Sequence, residues 1–244
     1  MVFGSVRKSA YNAEACRMGK KIVLLGAGGF AREVLDIFDA WNKVGQEYEV
    51  LGYIVESQYG TPGTFVNDKP VLGDFDWFDA HAEEVYAVCA VGAPEVRLRL
   101  VKRAKEAGVS FCSVIHPNAI FTRWVTMGEG VVITAGCVLT NQIHIGNHVH
   151  VNLDCTIGHD VVIDDFATLA PGVHISGRVK LSTGCYIGTG ANIIDNLHIG
   201  EWAIVGAGST IVRDVPANTT VVGVPGKIIK TREAGWHLEG VYEL

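Results

Sequence analysis

Several things are scarce in this sequence, and each absence excludes something. Basic charge is one. Twenty Lys and Arg stand against 26 Asp and Glu, a net charge of −6, and a chain without a basic excess is poorly suited to neutralising nucleic-acid phosphates. Paired cysteines are another. Cys16, Cys89, Cys112, Cys137, Cys155 and Cys185 form no CxxC pair, and most lie in apolar runs, so reduced, buried thiols are expected. No apolar run approaches the ~18 residues of a membrane span. The first 19 residues are mixed and polar, without a secretory h-region. A cytoplasmic protein is expected, with residues 1–19 as a disordered extension. Proline is scarce, 7 residues against 29 glycines without a collagen period, which points to many tight backbone corners. Hydrophobic residues make up 48% and charged residues 19%, enough to bury a core.

Two patterns divide the remainder. Residues 20–114 alternate strand and helix. Lys21–Leu25 is a short apolar run ending in glycine, as buried parallel strands do. Phe30–Val44 carries a helical stripe of Val34, Leu35, Phe38 and Trp41, closed by Gly45. Glu49–Val55 and Val85–Val91 read as further strands, Pro94 opens a second helix that Gly108 ends, and Val109–Ile115 reads as a final strand. Ser57–Lys69, with Gly60, Pro62 and Gly63, reads as a mobile loop. This is a small α/β domain, about half the size of a full dinucleotide-binding fold.

From Ile115 the period becomes six. Stepping by six from Ile115 through Phe121 and Met127 to Ile211 meets 17 consecutive large apolar residues. The position four further on, Ala119 to Val215, is Ala, Val, Cys, Ile, Leu or Ser each time. A six-residue apolar period is neither helical nor a simple strand alternation; it marks a parallel β-helix with three hexads per triangular coil. Residues 115–216 make between five and six coils, leaving 217–244 as a C-terminal tail.

The hexads Ile145-Gly146, Ile157-Gly158, Ile187-Gly188, Ile199-Gly200 and Val205-Gly206 resemble those of the left-handed β-helix acyltransferases. Gly26-Ala27-Gly28-Gly29-Phe30-Ala31-Arg32-Glu33, Ala90-Val91-Gly92, Ile157-Gly158-His159-Asp160 and Gly223-Val224-Pro225-Gly226-Lys227 sharpen the likeness. Together they look like the bacterial acetyltransferases of UDP-4-amino-sugars and the related sialic acid O-acetyltransferases. The resemblance implies a half-Rossmann-like α/β domain followed by a left-handed parallel β-helix, acetyl-CoA as co-substrate, a nucleotide sugar as acceptor, and a homotrimer with CoA between subunits.

Candidate residues follow. Gly26-x-Gly28-x-x-Ala31 fits the dinucleotide fingerprint, with Glu56 near the end of the second strand. Backbone N–H groups at that helix start offer an anion site, for a nucleotide-sugar diphosphate, for NAD, or for nothing beyond a structural turn. The resemblance brings Gly28, Gly29, Phe30 and Gly92 to the sugar nucleotide; Phe30 replaces the His of several members. It makes His159 the catalytic base, oriented by Asp160. It brings Gly177 to the thioester carbonyl, Thr168, Thr189 and Ala207 to the acetyl-CoA groove, and Lys227 to a CoA phosphate. The 18-residue coil puts Asn141, His159, Gly177 and Asp195 in one column. His144, His150, His174 and His198 occupy the last hexad place and read as outward, solvated residues. Zinc carbonic anhydrases share this β-helix and place two ligand histidines five residues apart. No pair here has that spacing, so no metal is expected. An N-acetyltransferase of a UDP-linked 4-amino-deoxysugar is the leading reading; O-acetylation of sialic acid and a non-catalytic sugar-nucleotide-binding protein are its rivals.

Overall fold

The computed structural model describes residues 21–46 and 48–238; the extension expected at 1–19 lies outside them. The chain opens with β1 (Lys21–Leu25), α1 (Gly29–Lys43), β2 (Glu49–Ile54), β3 (Phe65–Val66), β4 (Lys69–Gly73), α2 (Phe78–His81), β5 (Val85–Cys89), α3 (Pro94–Glu106) and β6 (Ser110–Phe111). These strands form one sheet in the order β3-β4-β2-β1-β5-β6, parallel except for the β3–β4 hairpin. That hairpin corrects the reading of 57–69 as loop throughout. Ala31, Val34, Leu35, Ile37 and Phe38 bury one side of α1 against one sheet face; Leu100, Val101 and Ala104 of α3 cover the other. Parallel strands covered on both sides need continuous apolar sequence, and Ile22 to Leu25 are all 0% exposed.

The segment Val109–Ile115, read as one strand, changes sheets midway. Ser110–Phe111 pairs with β5, whereas Val114–Ile115 pairs with Val132–Ile133 of the next layer. Between them Ser113 Oγ donates to Gly128 O and accepts from Val131 N. A change of partner over three residues joins the two halves without a linker.

The second half is a triangular parallel β-helix with an 18-residue register. Its first face runs from Val114–Ile115 through Val132–Ile133, His150–Val151, Thr168–Leu169, Tyr186–Ile187 and Ile204–Val205 to Thr219–Val222. Its second face runs from Val138–Leu139 through Thr156–Ile157, His174–Ile175 and Asn192–Ile193 to Thr210–Ile211; its third runs from Val125–Met127 to His198–Ile199. The hexad residues fill the prism: all 17 join one core, Phe121 only partly buried. Ladder hydrogen bonds between coils satisfy the buried backbone, for example Thr156 N to Val173 O at 3.0 Å. The helix also runs past 216: Thr219–Val222 pairs with Ile204–Val205, and Lys227–Thr231 folds back antiparallel on it. The expected tail is therefore corrected. The short strand Thr219–Val222 keeps the alternation of buried Thr219 and Val221, a pattern the strict six-residue count had lost. A second correction concerns sulfur. Cys89, Cys137, Cys155 and Cys185 are free and buried, but Cys112 is disulfide-bonded. Among the described residues no helix is long and apolar enough to cross a membrane.

Candidate active site

Two clusters of expected residues take shape, and they lie on different parts of the molecule. The first is at the carboxyl ends of β1 and β5, where the strand order reverses direction. In parallel α/β sheets this switch point opens the ligand crevice. Gly26 adopts φ +96°, and a Cβ there would stand 2.8 Å from Val91 Cγ2, so the turn needs glycine to approach the next strand. Gly28 caps α1 with no side-chain hydrogen bond. Gly28 and Gly92 have open space where a Cβ would be. The first-turn amides of α1 therefore face an open crevice, a favourable place for a phosphate. Phe30, next to Gly29 in the first turn of α1, has its ring 4.9 Å from the His150 imidazole.

The second cluster sits at the corner between the second and third faces. His159 Nδ1 lies 2.7 Å from Asp160 Oδ2, and both side chains are about half exposed (55% and 54%). Asp160 takes φ +59°, a left-handed turn position that short polar side chains tolerate. This bends its carboxylate back beside the preceding imidazole. One coil on, Gly177 lies under that ring, and a Cβ there would stand 2.6 Å from His159 Cε1. No acceptor takes the Gly177 N–H among the described residues. Arg178, beside Gly177, pairs with Asp195 at 2.9 Å.

Residues 21–104 match the PglD N-terminal domain family. WeeI from Acinetobacter baumannii is 32% identical, with a TM-score of 0.77 over 86% of this chain and 100% of that one. The chain belongs to the hexapeptide-repeat nucleotide-sugar acetyltransferases. A mutant perosamine N-acetyltransferase from Caulobacter crescentus, in complex with CoA and GDP-perosamine, has TM-score 0.79 at 29% identity, over 86% of this chain and 97% of that one. The GDP-perosamine N-acetyltransferase of Escherichia coli O157:H7 is 30% identical over 142 residues, 55% of this chain and 62% of that protein. The chain also matches serine acetyltransferases, but spans only 16% of the length of that from Synechococcus elongatus and 46% of that from Bacillus subtilis. Membership of this family makes the β-helix left-handed.

Within this acetyltransferase fold the remaining expected residues fall unevenly. Thr189 and Ala207 are exposed on the corner between the first and second faces. They border the second face on one edge, as Gly177 and His159 do on the other. Lys227 starts the exposed return strand beside Val222. Thr168 is the clear correction. It is 5% exposed, and its hydroxyl donates to Gly92 O at 2.8 Å and accepts from Arg97 Nη2 at 2.9 Å. The α/β domain covers this stretch of the first face, so Thr168 lies in the contact between the two halves and not in an open groove. Glu56 is also engaged: Arg99 holds both its oxygens, at 2.6 and 2.9 Å. This bidentate pair fixes its carboxylate near the end of β2.

The outward histidines divide in the same way. His144, His174 and His198 meet a hydroxyl, of Thr126, Thr156 and Ser182 respectively. His150 does point out of its coil but is 1% exposed, covered by Phe30 and Arg97, and its expectation as solvated is corrected. Burial, then Arg97 and His148, push its pKa well below the usual imidazole value. Arg97 donates to Nδ1 at 3.0 Å, so that nitrogen carries no proton and Nε2 does. Among the described residues no three His, Cys, Asp or Glu side chains are grouped to hold a metal. A shallow groove of about 480 Å³ on the third face, between Thr126, His144, Val162 and Asp165, includes neither cluster.

Sequence reasoning missed Arg97, the largest fully buried side chain. The signal was present: 97, 100, 101 and 104 form the buried stripe of α3, so a cation stood where the helical period demands an apolar residue. Glu95, 8% exposed in the first turn of α3, was missed too; burial raises its pKa.

Proposed function

We propose that the protein transfers an acetyl group from acetyl-CoA to the amine of a nucleotide-linked 4-amino-deoxysugar. The observation that carries this reading is the His159–Asp160 pair seated on Gly177. The family supports it, through a solved relative in complex with both CoA and GDP-perosamine. Asp160 accepts the Nδ1 proton of His159, which leaves the Nε2 lone pair to act as base. The amine nitrogen attacks the thioester carbonyl, and His159 Nε2 takes the proton that nitrogen must lose. The Gly177 N–H donates to the oxygen of the tetrahedral intermediate. The C–S bond then breaks, and the proton on His159 passes to the departing CoA thiolate.

The crevice and the base are not united in one chain. Phe30 and Arg97 pack on the first face, whereas His159 occupies the corner opposite that face. A sugar nucleotide held at Gly28, Gly29 and Gly92 therefore meets His159 of another copy, with acetyl-CoA along the second face between Gly177 and Thr189. A homotrimer with three such shared sites satisfies this geometry.

A UDP-linked sugar is the acceptor we favour, and the GDP-perosamine relatives support GDP as the second reading. Turnover of acetyl-CoA against UDP- and GDP-linked 4-amino-deoxysugars and free sialic acid, with products identified by mass spectrometry, tests both. Acetylation of an amino sugar is expected; sialic acid turnover alone would reverse the assignment.

A further inference from the structure

We infer that Arg97 and Thr168 are positioning residues that clamp the Gly92 turn of the crevice onto the first face of the β-helix. This rests on the reading of that crevice as the nucleotide-sugar site. Arg97, 0% exposed, bridges the two halves with one guanidinium. On the α/β side Nη1 donates to Val91 O at 2.8 Å and Gly92 O at 3.1 Å. On the β-helix side Nη1 meets His150 Nδ1 at 3.0 Å, and Nη2 donates to Phe166 O at 2.6 Å and Thr168 Oγ1 at 2.9 Å. Thr168 closes the ring by donating to Gly92 O at 2.8 Å. The Gly92 carbonyl thus accepts from both residues, which uses both of its lone pairs.

The fixed turn is the one the crevice depends on. Val91 is the side chain that would meet a Cβ on Gly26, so the position of residues 91–92 also sets that of the phosphate turn before α1. On its other side Gly92 has open space. Held carbonyl-down on Thr168 and Arg97, it keeps its Cα toward the crevice. The planar guanidinium reaches acceptors of both halves at once, as a lysine ammonium on a flexible stem does not. Thr168 is replaceable by near-isosteres that keep or delete the hydroxyl, which makes it the sharper probe.

The test uses the full chain with Thr168→Val, Thr168→Ser and Arg97→Lys. UDP and GDP are titrated calorimetrically, with acetyl-CoA as the control ligand, and steady-state constants are measured with the nucleotide sugar. Thr168→Val removes both hydrogen bonds of the hydroxyl and is expected to weaken the nucleoside diphosphate and raise the nucleotide-sugar KM about tenfold, an order of magnitude usual for buried hydrogen bonds. Its kcat and acetyl-CoA KM are expected to stay within about twofold, since neither the base nor the second face is touched. Thr168→Ser restores the wild-type values, and Arg97→Lys, where it folds, shows the same split as Thr168→Val. Unchanged diphosphate binding in Thr168→Val, or an equal loss for acetyl-CoA, overturns the inference while the proposed function stands. A wild type that binds neither UDP nor GDP overturns the proposed function and this inference with it.

Discussion

The His159 ring lies on the α-carbon of Gly177, one coil away, so closely that a Cβ there would stand 2.7 Å from Nε2. Gly177 is absent from the glycines at positive φ, so what requires glycine here is the neighbouring imidazole and not the backbone. Gly177→Ala should therefore fold normally while displacing the His159 ring from Asp160. Since a misplacement near 1 Å can cost about 10²-fold, turnover should fall by roughly that much while melting shifts by less than about 1 kcal/mol. Turnover equal to wild type would show that the contact is incidental.

His159→Ala removes the proposed base itself. A positioned general base contributes about 10² to 10⁴ in rate, so kcat should fall by that factor with acetyl-CoA and nucleotide-sugar affinities nearly unchanged. The side chain is half exposed, and its loss leaves no core cavity. Asp160→Asn should give a smaller loss, because the base remains while the charge behind it goes. Kinetics and melting of His159→Ala beside His174→Ala decide the matter; a His159→Ala enzyme within about threefold of wild type ends the mechanism.

The proposed sharing of sites between copies predicts a trimer and complementation. Gly29→Asp places a negative charge at the proposed anion site at the start of α1 and should lower activity severely, as should His159→Ala. Trimers mixed from the two variants regain intact sites where a wild-type crevice meets a wild-type base, and activity returns. Light scattering that shows a stable monomer at micromolar concentration, or mixtures that stay inactive, would contradict the arrangement.

Acid should loosen the contact between the halves. Burial, then Arg97 and His148, depress the His150 pKa in the folded state, and burial depresses that of His148. Below the unfolded value near 6.5 the unfolded chain binds protons that the folded one refuses. These histidines therefore contribute stability that is present above about pH 6.5 and is lost as pH falls from there toward the folded values. The slope reaches at most about 1.4 kcal/mol per pH unit for each histidine. Melting between pH 7 and 5 should show the decline, and His150→Gln, which keeps an acceptor for Arg97 without titrating, should flatten it. A melting temperature independent of pH over that range would refute the account.

Core truncation gives a contrasting prediction. Ile157, 1% exposed, packs inside the coil that carries His159. Ile157→Ala should cost about 2–5 kcal/mol, read as a lower denaturation midpoint. A loss under about 1 kcal/mol would mean that the coil collapses around the gap.

Legibility differed between the two halves of the molecule. The hexads from Ile115 to Ile211 were readable to the residue, because a coil repeats one environment every six positions and each inward position admits only an apolar side chain. The start of α1 and the Pro94 opening of α3 were readable from local backbone chemistry in the same way. His159, Asp160 and Gly177 could be placed in neighbouring turns from the register alone. The seating of the His159 ring on Gly177 and its 2.7 Å contact with Asp160 could not, since both depend on side-chain rotamers. Thr168 and His150 were misjudged for a single reason. Both point outward from the β-helix, and period arithmetic cannot distinguish an outward residue in water from one beneath another domain.

Sequence alone determined the order of the two halves and the coil that carries His159 and Asp160, since periodicity, turn glycines and helix caps act over neighbouring residues. Tertiary structure alone decided that the first face is covered, that Arg97 lies buried between the halves, and that the crevice and His159 sit on opposite sides of one chain. Those outcomes depend on how two finished surfaces dock, through contacts such as those of Arg97 and Thr168 with residues 53 to 76 positions away, a separation at which no local pattern is written.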